Sequence, residues 1–125
     1  MLLHIDDHMT IEEIQDHFNE CYPFLKICFY ARPQKRHRPA NKAELINEKL
    51  TIGEIRKDHK NGTVSIKSWY KIGQVESELK EKFDLNALVF RWDNISMSWV
   101  PTFLTEGLTI QQQAEFSTIP PMVYA

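Results

Sequence analysis

Glycine is scarce in this sequence, at four of 125 residues. Neither G-x-G-x-x-G nor G-x-x-x-x-G-K-[ST] occurs, so no glycine-rich loop is available to cradle phosphates. Cysteine is scarcer still. Cys21 and Cys28 lie seven apart, not at the C-x-x-C spacing of redox or zinc sites, and both read as reduced packing residues. No apolar run approaches the roughly 18 to 20 residues of a membrane span, and no lipidation motif is visible. Asp6 and Asp7 fall where a signal peptide would place a basic and then an apolar region, which points to the cytoplasm. An excess of one charge is also missing: fifteen Lys+Arg against seventeen Asp+Glu leave a net charge of -2. Whole-chain attraction to nucleic acid or to an anionic membrane is therefore not implied. There is no G-x-S-x-G elbow and no nominated carboxylate pair, so no catalytic residue and no cofactor is expected.

What is present is enough for one packed domain covering residues 1–125, with 42% hydrophobic and 26% charged residues. The apolar pattern repeats at a spacing of 61 residues. Leu3 and Ile5 match Val64 and Ile66; Ile11, Ile14 and Phe18 match Ile72, Val75 and Leu79. Further on, Ile27, Cys28 and Phe29 align with Leu88, Val89 and Phe90. Each copy runs from an alternating segment through an i, i+3, i+7 stripe to a second alternating segment, which is strand–helix–strand twice. Thr10 with Glu13 forms a capping box, so the first helix is predicted from Ile11 to Cys21, ending before Pro23. The second is predicted from Ile72 to Phe83, without a capping side chain at Lys71. Thr51 with Glu54 and Thr109 with Gln112 repeat the box, and 41–49 reads as a further short helix.

Asp93-Asn94 suits a two-residue turn, which would oppose Trp92 to Ile95, Phe90 to Met97 and Leu88 to Trp99. All six are apolar and are expected to face the core, leaving Arg91, Ser96 and Ser98 outside. Helices beside a largely antiparallel sheet give an α+β class. Two βαβ units suggest a ferredoxin-like sandwich with an added C-terminal hairpin strand, and β-grasp is the alternative. Residues 32–61 would then be an insertion between the halves, and 117–125, with Pro120-Pro121, an extended tail.

From Arg32 to Lys42 there are five Lys/Arg and no acidic residue. Arg32, Lys35, Arg36 and Arg38 are thus candidate phosphate contacts, and nucleic acid is an alternative partner through this loop. Lys26, Tyr30, Lys67 and Arg91, with His4, are expected on a polar outer sheet face and are the other binding candidates. His4, Asp6 and His8 would project to one side of a strand, a weak candidate metal set against the plainer reading of a polar strand face. Trp92 and Trp99 read as core, and Trp69 beside Tyr70 as cover for a core edge or, alternatively, as an exposed contact patch.

The runs Thr51-Ile52-Gly53-Glu54-Ile55-Arg56, Glu78-Leu79-Lys80-Glu81-Lys82-Phe83-Asp84-Leu85 and Val89-Phe90-Arg91 carry a resemblance, together with Trp99 and Leu108-Thr109-Ile110-Gln111-Gln112-Gln113. This C-terminal half is similar to a group of small uncharacterised bacterial α+β proteins. The resemblance implies a bacterial cytosolic domain and no activity, substrate or catalytic residue. The expected function is a non-catalytic binding or interaction module that self-associates, as a homodimer. A small enzyme with an unidentified site is the remaining alternative.

Overall fold

A computed structural model describes residues 1–34 and 39–118. The chain is α+β. Strand β1 (Leu2–Ile5) leads through helix α1 (Ile11–Cys21) to β2 (Leu25–Tyr30), then a 3-10 turn (Lys42–Glu44) and the short helix α2 (Ile52–Ile55). The second half runs β3 (Gly62–Ser65), α3 (Ile72–Phe83), β4 (Asn86–Asp93), β5 (Ser98–Pro101), a 3-10 turn (Phe103–Thr105) and α4 (Ile110–Thr118). Both long helices have the bounds the apolar stripes predict. Glu13 N–H donates to Thr10 Oγ1 at 3.2 Å at the α1 start, whereas Lys71 provides no side-chain cap for α3. The segment 41–49 forms only the 3-10 turn.

The two strands of each strand–helix–strand unit pair across the halves rather than with each other. β1 pairs antiparallel with β3, and β2 pairs antiparallel with β4, which also carries β5. Among the described residues the ladders form two sheets, β1–β3 and β2–β4–β5, so the single sheet of a ferredoxin-like sandwich is not confirmed. Leu3 lies directly opposite Val64, its own counterpart 61 residues on, so the first ladder is centred on a pseudo-two-fold axis. In the second ladder Cys28 faces Leu88, at a spacing of 60. The exit from α3 is one residue shorter than that from α1, and the repeat slips by one position there. Leu85, Ala87 and Val89 consequently take the places of Leu25, Ile27 and Phe29, and all six are buried.

That slip reverses the expected inside and outside of the C-terminal ribbon, since side chains alternate with period two. Opposed residues share a face, so Val89 lies beside Ile27 in the core, whereas Phe90 lies beside Lys26 on the outer face. The observed pairs are Trp92 with Trp99 and Phe90 with Pro101, not Trp92 with Ile95 and Phe90 with Met97. A four-residue turn, 94–97, replaces the expected two-residue one. Asp93 stabilises it by accepting from Ser96 N–H at 3.2 Å and Ser96 Oγ at 2.7 Å, and Met97 takes a left-handed φ of 55°. Ile95 and Met97 are exposed at the ribbon tip, against the expectation of burial. Cys21, expected to pack, is exposed as well.

The repeat extends past the second strand of each half. Tyr30 bridges to Leu45 much as Phe90 pairs with Pro101. The start of α2 docks against the start of α1, with Thr10 bridging Thr51, and the start of α4 docks against that of α3, with Lys71 bridging Thr109. Ile52 N–H donates to Met9 C=O and Ile110 N–H to Tyr70 C=O, both at 2.8 Å. Gly53 N–H likewise reaches Asp7 C=O at 3.1 Å, and Gln111 N–H reaches Ser68 C=O at 2.9 Å. Met9 and Tyr70, and Asp7 and Ser68, are again 61 apart. First-turn amides that a helix cannot satisfy internally thus find acceptors in the neighbouring turn. Gly53 permits the approach, because a Cβ there would lie 3.1 Å from Asp7 Cβ. Ile11, Ile52, Ile72 and Ile110 enter one core with both sheets.

An arginine closes the seam between the halves. Arg56, with a side chain 0% exposed, donates from Nε and Nη2 to Asp7 Oδ1 at 3.0 and 2.8 Å. Its Nη2 also reaches Asn61 Oδ1 at 3.0 Å, and Nη1 reaches Phe83 C=O at the end of α3 at 3.1 Å. Asp7 Oδ2 meets His59 Nδ1 at 2.9 Å. Desolvation pulls the Asp7 carboxyl upward, but hydrogen bonds from Arg56 and His59, with their charges, outweigh it and hold the group below the usual carboxylate range. Asp84 is lowered too, first by the backbone N–H of Asp58. A depressed folded-state pKa contributes stability above the unfolded value of 3.8 that is lost as pH falls through the folded value. Urea midpoints should therefore hold steady from neutral pH down to the ordinary carboxylate range and drop steeply below it. A midpoint that rises on acidification would contradict this assignment.

Candidate functional site

Every second residue of β2 faces away from the core, and so do their ladder partners. Lys26, Cys28 and Tyr30 stand on β2, Leu88, Phe90 and Trp92 on β4, and Trp99 and Pro101 on β5. A sheet face this apolar is unusual beside solvent. Here it is partly roofed, because Pro39, Ala40, Lys42 and Leu45 rise along the β2 side and enclose a groove of about 380 Å3. Main-chain bonds fix that wall: Ala31 N–H donates to Glu44 C=O at 2.9 Å and Ile46 N–H to Phe29 C=O at 3.0 Å. Glu44 faces inward to its own loop, accepting from Gln34 Nε2 at 2.8 Å and from Asn41 Nδ2 at 3.2 Å. At the other end of the face the Trp92 and Trp99 rings meet edge-on, with centroids 5.4 Å apart. Gln15 Nε2 donates to Ile27 C=O and Asn19 Nδ2 to Leu25 C=O, so α1 covers the edge carbonyls of β2.

The groove has few titrating groups. Burial pushes the Cys28 thiol up; the charge of Lys26 partly offsets this and that of Glu48 adds to it. Burial, with a contribution from Cys28, pushes Tyr30 up to about 12. Both are neutral near pH 7, which leaves Lys26 on the floor and Lys42 on the wall as the charges. A neutral thiol without an adjacent base is a poor nucleophile. Among the described residues that line the groove, no nucleophile is paired with a base.

Of the residues nominated from sequence, Lys26 and Tyr30 come together here. Arg91 does not. It is opposed to Leu25 and Val100 on the core-side face, 3.9 Å from Asp93, because β4 is turned over relative to the 61-residue alignment. His4 lies on the β1–β3 ladder opposite Thr63, and Lys67 follows β3, so neither belongs to this sheet. Arg32 is exposed just beyond β2, while Lys35, Arg36 and Arg38 lie outside the described residues, as does the 119–125 part of the tail. His4 Nε2 approaches Asp6 Oδ2 at 3.8 Å, and Asp6 Oδ1 accepts the His8 backbone N–H at 2.8 Å. No group of three or more metal-ligating side chains occurs among the described residues. Trp69 is 68% exposed and T-shaped to Tyr70, so it does not cover a core edge. Sequence reasoning missed the wall residues Lys42 and Leu45, and it placed Phe90 and Trp99 in the core. An apolar residue at every position from Ala87 to Phe90 was the available signal, since it marks a strand covered on both faces.

Compared with known proteins, the chain matches no family model, no curated sequence and no solved structure. Among the described residues no helix is long and apolar enough to cross a membrane.

Proposed function

We propose that the chain is a non-catalytic binding module whose working surface is the outer face of the β2–β4–β5 sheet. The observation that carries this reading is the concave groove in which Tyr30, Phe90 and Trp99 sit beside Lys26 with no carboxylate in the lining. Its volume of about 380 Å3 falls in the range of small-ligand sites, roughly 300–1,000 Å3, and its few polar groups suit orientation rather than chemistry. Self-association is a second reading, supported by the exposed apolar pair at the ribbon tip, Ile95 at 80% and Met97 at 68%. Edge pairing of β5 is a poor route to a dimer, because the strand is short and ends in Pro101, which has no N–H to donate.

One set of amide spectra of the isotope-labelled protein tests both readings. A mixture of small aromatic and aliphatic fragments should shift the resonances of Lys26 to Tyr30, Phe90 and Trp99. Dilution should shift those of Ile95 to Met97. Fragment shifts clustered instead around Trp69 or Arg56 would overturn the choice of surface, and a spectrum unchanged by dilution would remove self-association.

A further inference from the structure

We propose that the groove selects a small apolar monoanion, an aryl or alkyl carboxylate whose charge sits at Lys26 and whose body lies between Phe90, Trp99 and Leu45. The inference rests on the reading of the outer face as the binding surface and adds the class of ligand. Charge is the first ground. The lining holds two cations, Lys26 and Lys42, and no Asp or Glu. On the wall, Glu44 is engaged by Gln34 and Asn41, and Glu48 lies in the adjoining pocket that Lys26, Cys28 and Leu45 also line. Among the described residues, no ion pair involves Lys26 or Lys42. In a chain with more acidic than basic residues, a groove lined among the described residues by two lysines and no carboxylate is a local departure that favours an anion.

Position is the second ground. Lys26 lies opposite Phe90 in the ladder, so its ammonium rises from the sheet floor beside an aromatic ring. Its half-buried state fits a lysine whose stem packs on apolar neighbours while the head remains accessible. The thiol and phenol beside it are held neutral and do not cancel its charge. The third ground is the composition of the remaining lining. Tyr30, Leu45, Phe90 and Trp99 offer apolar contact, whereas groups able to satisfy a second or third anionic oxygen are few. A phosphate dianion carries more charged oxygen to desolvate against these apolar residues than a carboxylate does, so among the described lining it is the less favourable guest. A single carboxylate on a flat apolar body matches both the one floor cation and the aromatic walls.

The test titrates the full chain with 4-phenylbutyrate and, separately, with the neutral 4-phenylbutanol, following tryptophan fluorescence and the amide resonances of Lys26, Phe90 and Trp99. The acid should bind about tenfold more tightly than the alcohol, the discrimination a partly solvated charged hydrogen bond supplies. Lys26→Met should remove that preference, bringing acid and alcohol to equal affinity, and Lys26→Arg should restore it. Equal binding of acid and alcohol by the native chain, or a preference that survives in Lys26→Met, would overturn the assignment of an anionic ligand to Lys26 but leave the outer face as a binding surface. If neither compound moves the groove resonances, the reading of that face itself falls, and the assignment with it.

Discussion

Replacing Arg56 by methionine is expected to destabilise the fold by about 3–5 kcal/mol, the usual range for breaking a buried charged pair by removing one partner. The side chain is 0% exposed, and four of its hydrogen bonds leave for three separate segments: the β1–α1 turn at Asp7, Asn61 ahead of β3, and the last turn of α3 at Phe83. Methionine preserves much of the volume, so the loss reports the polar network rather than a cavity. It strands the Phe83 carbonyl and leaves the Asp7 carboxylate with His59 as its remaining side-chain partner. Arg56→Lys should fall between the two, because an ammonium cannot bond Asp7 and Phe83 at once in the fork geometry of a guanidinium. The measurement is urea unfolding, read as a fall in midpoint at unchanged slope. A change below about 1 kcal/mol would show that the network is peripheral to folding.

A second substitution pair distinguishes the two faces of the ribbon. Val89→Asp is expected to abolish cooperative folding, at a cost above about 4–5 kcal/mol, since it puts a carboxylate into a site 2% exposed beside Ile27. Met97→Asp should change stability by no more than about 0.5 kcal/mol, because that side chain is 68% exposed. The register expected from a two-residue turn at Asp93-Asn94 puts Met97 on the core face and Val89 outside, and so ranks the two the other way round. Circular dichroism melts of both variants decide it, and a folded Val89→Asp beside an unfolded Met97→Asp would reinstate the original face assignment.

The same reversal shows which parts of the architecture were legible in the residues. The stripes Ile11, Ile14, Phe18 and Ile72, Val75, Leu79 are amphipathic over several turns, so their helices could be bounded correctly. Leu3 and Ile5 flank His4 as Val64 and Ile66 flank Ser65, and Leu3 and Val64 do lie opposite one another. β4 offered no such contrast. Ala87, Leu88, Val89 and Phe90 are all apolar, because one face meets the core and the other lines the groove, and a one-residue slip in such a strand changes nothing visible in the pattern. The choice between one sheet and two depends on strand pairing, which local periodicity does not encode. Arg56 stands first in the run Arg56-Lys57-Asp58-His59-Lys60, where nothing local separates a buried guanidinium from a solvated charge cluster. Lys26 and Tyr30 were recognisable as a pair because they sit four apart on one strand, on the same face; the wall that makes them a site comes from a loop that begins nine residues further on.

The groove exists because β2 and β4, strands from different halves, lie side by side with their outer residues in one surface. Cross-strand nuclear Overhauser contacts between backbone protons test that pairing most directly. Contacts joining Leu3 with Val64 and Cys28 with Leu88, and Trp92 with Trp99 on the ribbon, are the predicted result. Contacts joining β2 to β3 and β1 to β4 would instead place all four strands in a single sheet, and the groove would have no floor.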